Sequence, residues 1–240
     1  LVENWIKSNN FDFIIHLAAI VPTKDVEDDY KYAKKVNFNG TKNLVDSLIK
    51  HKKKPKNIFF ASTSHAYKVH NKFFKIDESQ KVEPHSKYGK TKVLAENYLK
   101  KKFKKAKISF CIGRIFSYTN PKQNKSFLAP SLFYKIKKSK KKLITFKGLN
   151  HFRDFLSIND ISNAIRILCL KKITGVYNIG SGKKLHLEKI ARIFCKKFNK
   201  KSYFINKSSS FTYLISNNRK LCKLGWKPKN NFLKELNKFK

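Results

Sequence analysis

Short apolar runs alternate with longer amphipathic stretches along the chain, which predicts strands and helices in turn. Residues 1–9 read as the end of a helix. The run Phe11-Asp12-Phe13-Ile14-Ile15-His16-Leu17-Ala18-Ala19 is short, apolar and closed by small residues, as expected of a buried parallel strand. Residues 25–50 follow as a long helix. Its apolar stripe is Val36, Leu44, Val45 and Leu48, interrupted by the polar Asn37-Phe38-Asn39-Gly40-Thr41. A second strand over 57–62 runs into Ser62-Thr63-Ser64-His65-Ala66-Tyr67. A loop over 68–87 then leads to a helix over 88–105.

The pattern continues with a strand at 107–115, a polar loop at 116–123, a helix at 127–138 and a short strand at 143–146. An extended piece at 152–158 precedes a helix to 170, capped by Asn159 or Asp160. A strand with a glycine-rich turn spans 175–182, and a helix spans 187–198. Short helical turns around Leu224-Gly225-Trp226-Lys227-Pro228 fill 221–240. Strands alternating with helices predict an α/β protein with a doubly wound parallel sheet. The expected division is a dinucleotide-binding domain over 1–120, to which 150–182 return, and a smaller α/β substrate lobe over 121–240.

Composition narrows the class. The hydrophobic share is 41%, ordinary for a globular protein and against wholesale disorder. No apolar run approaches the ~18 residues of a membrane-spanning helix, so no membrane partner is expected. The first residues, Leu1-Val2-Glu3-Asn4-Trp5, do not read as a signal peptide, and the absence of any methionine suggests a fragment whose start is missing. Cys111, Cys169, Cys195 and Cys222 form no C-x-x-C, so ordinary reduced thiols in a cytoplasmic protein are expected, with no metal site.

The formal charge is +40, from 55 basic and 15 acidic residues. Taken alone it suggests a nucleic-acid partner. The lysines, however, are scattered through every helical stretch and far outnumber the arginines, which reads as compositional drift. Anionic ligands are steered toward such a surface in either case.

The candidate chemistry centres on Tyr88-Gly89-Lys90-Thr91-Lys92. Tyr88 and Lys92 project from one helix face at i and i+4. A nearby ammonium favours the phenolate and moves a tyrosine pKa from about 10 toward neutrality. Such a pair is a tuned proton donor and acceptor, or else a solvated helix face. Hydroxyls of Ser62, Thr63 and Ser64 at a strand end suit a bound carbonyl, and equally suit a plain turn. Ala18 and Ala19 at another strand end admit a flat ligand or simply pack the core.

The order of these pieces resembles the extended short-chain dehydrogenases/reductases, the nucleotide-sugar epimerases, dehydratases and reductases. The matching motifs are His16-Leu17-Ala18-Ala19, Asn37-Phe38-Asn39-Gly40-Thr41, Ser62-Thr63-Ser64-His65-Ala66-Tyr67, Tyr88 with Lys92, Arg153-Asp154-Phe155 and Tyr177-Asn178-Ile179-Gly180-Ser181-Gly182. Thr63 precedes Tyr88 by 25 positions, a separation like that of the family. The resemblance implies a Rossmann-type domain that binds NAD or NADP, with the C-terminal lobe holding a nucleotide sugar. It implies Tyr88 as acid/base, Lys92 as the group that tunes it and holds the nicotinamide ribose, and Thr63 as the group orienting the sugar oxygen. It further implies Ala18, Ala19, Asn37 and Ser62 at the cofactor, Ser64 and Ser117 at the substrate, and Arg153 on its diphosphate, where a guanidinium fork suits the oxygens. The ordinary alternative for Arg153 is an ion pair with Asp154 or Asp160. A homodimer through two helices, one of them the Tyr88 helix, is also implied.

Two departures qualify the resemblance. The family's G-x-x-G-x-x-G turn, which holds the cofactor pyrophosphate, does not occur; the first βαβ unit is expected to lie upstream of Leu1, and the fragment as given is expected to bind cofactor poorly or not at all. The loop Arg114-Ile115-Phe116-Ser117-Tyr118-Thr119-Asn120-Pro121-Lys122-Gln123 has serine at 117 where the family often has asparagine. Its Thr119, Pro121 and Gln123 look like the loop of the GDP-4-keto-6-deoxymannose reductases. The resemblance therefore implies a 4-keto-6-deoxy-sugar reductase acting at C4, with a nucleotide-sugar 4-epimerase as the alternative. A dehydratase usually carries an acidic pair where Ser64-His65 stand. A rival of another class is a non-catalytic nucleic-acid-binding protein that uses Tyr98, Phe103, Phe198, Tyr203 and Phe204 among its lysines.

Overall fold

The longest apolar runs become neighbouring parallel strands. The structure, a computed structural model, describes residues 2–21, 23–206, 211–229 and 232–240. Its first elements are α1 (Val2–Lys7), β1 (Phe13–His16), α2 (Thr23–Asp28), α3 (Tyr30–Lys34) and α4 (Gly40–Lys50), with a π-helical turn at Lys35–Asn39 between the last two. Then come β2 (Asn57–Thr63), a 3₁₀ turn at Ser64–Ala66, α5 (Lys87–Lys105), β3 (Phe110–Ile115), β4 (Ser117–Thr119) and α6 (Leu128–Lys138). The chain continues through β5 (Leu143–Lys147), β6 (His151–Arg153), β7 (Phe155–Ser157), α7 (Ile158–Leu170), β8 (Gly175–Ile179), β9 (Leu185–His186) and α8 (Leu187–Lys197). It ends with β10 (Lys201–Ile205), β11 (Thr212–Leu214), α9 (Arg219–Cys222) and α10 (Phe232–Asn237). The predicted turns over 221–240 include positions 230–231, which lie outside the described residues.

The chain divides into two compact units. The first comprises Leu1–Lys68, Glu78–Ile115 and Asn163–Ile179. Its parallel sheet has the order β1-β2-β3-β8. Ile58 and Phe60 of β2, Ile112 of β3, Val45 and Leu48 of α4, and Ala95, Leu99 and Phe103 of α5 share one core. Burying each such side chain contributes roughly 1.5–3 kcal/mol.

The second unit comprises Val69–Asp77, Phe116–Ser162 and Gly180–Lys240. Its core gathers Leu132, Phe133 and Ile136 of α6, Phe146 of β5, Ile190 and Phe194 of α8, and Leu236 and Phe239. Its strands form small sheets, β10-β5, β11-β6-β9 and β4-β7.

Four expectations are corrected. Ile15 of β1 is 47% exposed, so the strand is not buried on both faces. The helix over 25–50 is broken at Asp29, whose Oδ1 accepts the Tyr32 N–H at 2.9 Å and starts α3 afresh. α7 is capped neither by Asn159 nor by Asp160; Ser157 Oγ accepts the Asp160 N–H at 3.2 Å and begins the helix earlier. β4, β9, β10 and β11 were not foreseen. β10 and β5 carry lysines and exposed positions among their apolar ones, and they pair across a long stretch of sequence.

Several lysines serve the fold. Lys54 Nζ donates to Leu48 O at 3.0 Å and to Ile49 O at the end of α4. Lys200 closes α6 at Ile136 O (2.6 Å) and Ser139 O. Lys197 bonds the Asn237 and Phe239 carbonyls after α10. Ammonium groups at helix C-termini complement the dipole and the orphan carbonyls. No helix among the described residues is long and apolar enough to cross a membrane.

Candidate active site

β2 delivers Ser62 and Thr63 at its carboxyl end. Thr63 is extended and caps the following turn, its Oγ1 accepting the His65 N–H at 3.2 Å. α5 starts on Ser86, whose Oγ accepts the Gly89 N–H at 3.0 Å. A Cβ on Gly89 would stand 2.2 Å from His65 O, so only glycine lets the first turn of α5 lie on the Thr63–His65 turn. That approach brings the His65 ring edge-on to Tyr88, with ring centroids 5.8 Å apart. Tyr88 is 7% exposed and packs with Val26 of α2 and Ala33 of α3.

Lys92, one helical turn on, is 1% exposed. Its Nζ stands over the Phe60 ring at 4.2 Å and makes no hydrogen bond to any described residue. Burial lowers its pKa to about 7, against the pull of Glu96. Nearby His16 is lowered to about 4, first by burial and then by Lys92. His16 Nε2 meets Thr41 Oγ1 at 2.9 Å, and Thr41 gives its own proton to Asn37 O, so Nε2 is the donor.

Lys92 couples stability to pH in a definite direction. Unfolding returns it to its ordinary pKa of 10.5. Between about pH 7 and 10.5 the unfolded chain therefore holds the extra proton, and the contribution of this group to stability rises with pH. Below that window both states are charged and the cost of burial is fully present. Lys92→Met is expected to raise the melting temperature most near neutral pH and below, with the gain shrinking toward about pH 10. Equal gains in melting scans at the two ends of the window would contradict this.

The other candidates of the first unit divide clearly. Ala18 is exposed and Ala19 half-buried, so Ala18 is not core packing. Asn37 is fully buried. Its Oδ1 accepts the Ile20 N–H at 2.7 Å, and its Nδ2 donates to Ile20 O (3.0 Å) and Thr91 Oγ1 (3.1 Å). Thr91 in turn donates to Tyr88 O at 2.8 Å. Asn37 thus ties the segment after Ala19 to α5. Ser62 gives its proton to Glu96, whereas the oxygen of Thr63 accepts locally and leaves its proton to donate elsewhere. Ser64 is buried in the turn.

Glu96 was missed by sequence reasoning. It pairs with Arg114 through two bonds, Nε–Oε1 at 3.1 Å and Nη2–Oε2 at 2.8 Å. Arg114 Nη1 donates to the Tyr67 hydroxyl at 2.9 Å, which donates to Asn178 Oδ1 at 2.8 Å. Burial pushes the Glu96 carboxyl up, but Arg114, Lys100 and Ser62 outweigh it and hold it low. Burial also drives Tyr67 up to about 12. A glutamate four residues from a lysine on a lysine-rich helix reads as a surface pair, which is why it escaped notice.

In the second unit, Arg153 is half-buried. It donates to Phe152 O (2.8 Å), Thr212 O (3.1 Å) and Thr212 Oγ1 (3.2 Å). Neither neighbouring carboxylate pairs with it. Asp154 accepts from Ser181, Gly182 and Ser216, and Asp160 accepts the Lys229 N–H. Burial lowers the guanidinium pKa to about 10. Ser117 lies half-buried on β4, paired with Phe155. No group of three or more His, Cys, Asp or Glu among the described residues could hold a metal ion.

The family model described as GDP-mannose 4,6 dehydratase matches residues 1–238. The chain belongs to this family. The resemblance to extended short-chain dehydrogenases/reductases is thereby membership. Relatives of the GDP-mannose 4,6-dehydratase family chain include a putative UDP-glucose 4-epimerase of Methanocaldococcus jannaschii. It is 25% identical over 232 residues, 95% of this chain and 75% of the relative. The GDP-6-deoxy-D-talose 4-dehydrogenase of Aggregatibacter actinomycetemcomitans is 28% identical over 198 residues, 81% of this chain, and the chain spans only 65% of its length. Among solved structures, RMD from Pseudomonas aeruginosa complexed with NADPH has a TM-score of 0.81 at 20% identity, covering 94% of this chain and 79% of that one.

Proposed function

We propose that the chain is an NAD(P)-dependent enzyme acting at C4 of a nucleotide-activated hexose, as a 4-keto-6-deoxy-sugar reductase, with a 4-epimerase as the alternative. The observation that carries this reading is the Lys92 ammonium, buried and without a hydrogen bond to described residues, one turn from buried Tyr88 on the helix that packs against the Thr63 turn. An ammonium stripped of water favours oxygen acceptors from a ligand. The ribose hydroxyls of NAD(P) fit that need, and when bound the cofactor supplies or accepts the hydride. Ala18 and Ala19 would line its pocket.

Tyr88 gives the proton to the C4 oxygen in reduction and takes it in oxidation. Thr63 donates its remaining proton to the same oxygen and orients it. Lys92, recharged by bound anions and hydroxyls, stabilises the phenolate form of Tyr88. Ser64 and Ser117 would touch the substrate. Arg153, a guanidinium that no carboxylate of the described residues neutralises, would take the diphosphate. The first unit then serves the cofactor, the second serves the nucleotide sugar, and a homodimer is the assembly the family implies.

The reductase reading is supported by Thr119, Pro121 and Gln123 and by the NADPH named with the Pseudomonas structure. The epimerase reading is supported by the Methanocaldococcus relative. Absorbance at the NADPH band separates them. A reductase consumes NADPH one for one with a nucleotide 4-keto-6-deoxyhexose. An epimerase interconverts UDP-hexoses with no net consumption. Neither activity, in protein that binds the nucleotide sugar, would sink the proposal.

A further inference from the structure

The acidic residues are unevenly spread. Between Glu96 and Asp154, and again between Glu188 and Glu235, the sequence holds no aspartate or glutamate. β5 and β10 lie in these two stretches and pair in parallel with each other. One face of the pair meets the second core through Ile144 and Phe146, with Phe204 packed against that core. The opposite face carries Leu143, Thr145 and Lys147 of β5 and Lys201 and Tyr203 of β10, all exposed. Alternation along a half-buried sheet leaves polar side chains outward. Here Leu143 and Tyr203 face out on neighbouring strands, 54% and 57% exposed.

Cations frame these two side chains. Lys138 at the end of α6 and Lys140, Lys141 and Lys142 before β5 are exposed. The connecting loop is held in place. The Lys141 N–H donates to Ser139 Oγ at 3.2 Å, Lys200 Nζ to Ser139 O, and the Lys201 N–H to Lys142 O at 2.7 Å. Lys142 therefore stands beside Lys201, which pairs with Leu143. None of the ion pairs among the described residues takes up any of these exposed lysines. Glu188, which accepts from Asn206 just beyond β10 at 3.3 Å, is buried and paired with Arg192.

We propose that the outer face of β5 and β10 docks on an anionic lipid bilayer. Lys138, Lys140, Lys141, Lys142 and Lys201 take the headgroup phosphates. Leu143 and Tyr203 reach the boundary between headgroups and acyl chains. Each lysine held near an acidic lipid surface adds to the attraction. The aliphatic side chain adds apolar burial, and a tyrosine ring with its hydroxyl suits the interface. A single-stranded nucleic acid also uses cations, but it gains by stacking bases on aromatic rings. This face offers one exposed ring, and leucine does not stack. A peripheral contact needs no spanning helix, so the lack of a long apolar run does not argue against it.

The test is sedimentation of the intact protein with vesicles of phosphatidylcholine alone and of phosphatidylcholine with phosphatidylglycerol, at physiological ionic strength. The wild type is expected to bind the mixed vesicles only. The triple variant Lys140→Gln, Lys141→Gln, Lys142→Gln is expected to bind them at least about tenfold more weakly. The control Lys101→Gln, Lys104→Gln, Lys105→Gln removes the same charge from exposed positions of α5 and is expected to lose much less. Leu143→Ser with Tyr203→Ser should weaken binding with every lysine intact. All the altered side chains are exposed, so melting temperatures should stay close to that of the wild type. Tyr203→Trp keeps the charge and reports depth. Its fluorescence is expected to be quenched by bromine-labelled acyl chains well beyond the level set by Trp5 and Trp226 in the wild type. An equal loss in the control would reduce the effect to net charge and overturn the proposal. So would a wild type that binds neither vesicle, binding that survives Leu143→Ser with Tyr203→Ser undiminished, no added quenching in Tyr203→Trp, or a single-stranded oligonucleotide bound through the same lysines in place of the mixed vesicles.

Discussion

Tyr88→Phe is expected to lower turnover by about 10²- to 10⁴-fold, the usual contribution of a placed proton donor, while cofactor affinity stays close to that of the wild type. The substitution removes a single oxygen from a ring that is nearly enclosed by α2, α3 and the His65 turn. The ring can therefore keep its packing, and the loss reads the proton rather than the fold. The check is steady-state turnover beside NADPH binding followed by fluorescence. Undiminished turnover would remove the catalytic assignment. A parallel collapse of cofactor affinity would instead make Tyr88 a packing residue.

The largest stability effect is expected at Glu96. Glu96→Ala leaves the Arg114 guanidinium, itself 1% exposed, buried without its carboxylate. Removing one partner of a buried pair typically costs about 3–5 kcal/mol. For a chain of this size that is a fall in melting temperature on the order of 10 °C. The loss spreads because Ser62 of β2 gives its proton to Glu96, and Arg114 of β3 holds the Tyr67 hydroxyl, which holds Asn178 on β8, so three strands and α5 share the network. The double variant Glu96→Leu, Arg114→Met removes both charges and is expected to recover much of the loss. Melting scans of both variants decide it. A Glu96→Ala protein as stable as the wild type would mean that the pair contributes little.

The parallel sheet of the first unit was legible in the sequence because β2, β3 and β8 are apolar runs hidden by helices. β5 and β10 were harder. Their lysines make each look like half a surface segment; the two pair in parallel, with Phe204 stacked on Phe146 at 5.5 Å. The same contact weakens the nucleic-acid alternative. Phe103 lies in the first core, Phe198 packs on the second, and Tyr98 donates to Asp46, so of the five aromatics offered as a stacking platform Tyr203 is the strongly exposed one.

At the site, the spacing of Tyr88 and Lys92 and the position of Thr63 could be read from one helix and one strand end. The role of Asn37 could not. The polar interruption of its helix was visible, but its partners are Ile20 and Thr91, 17 and 54 positions away. Arg153 shows the reverse case. Its adjacent aspartate suggested an ion pair, yet Asp154 is taken up by Ser181, Gly182 and Ser216, and the guanidinium bonds Phe152 O and Thr212 instead. Side chains whose partners lie on distant segments carry no local pattern, whereas periodicity and strand ends do.

The most direct test follows the hydride itself. Protein supplied with NADPH deuterated at the transferable position and a nucleotide 4-keto-6-deoxyhexose is analysed by NMR of the sugar product. Deuterium bonded to C4, at one label per turnover and lost in step with turnover in Tyr88→Phe, is the predicted result. Product formed without label at C4, or label arriving at the same rate in Tyr88→Phe, would contradict it.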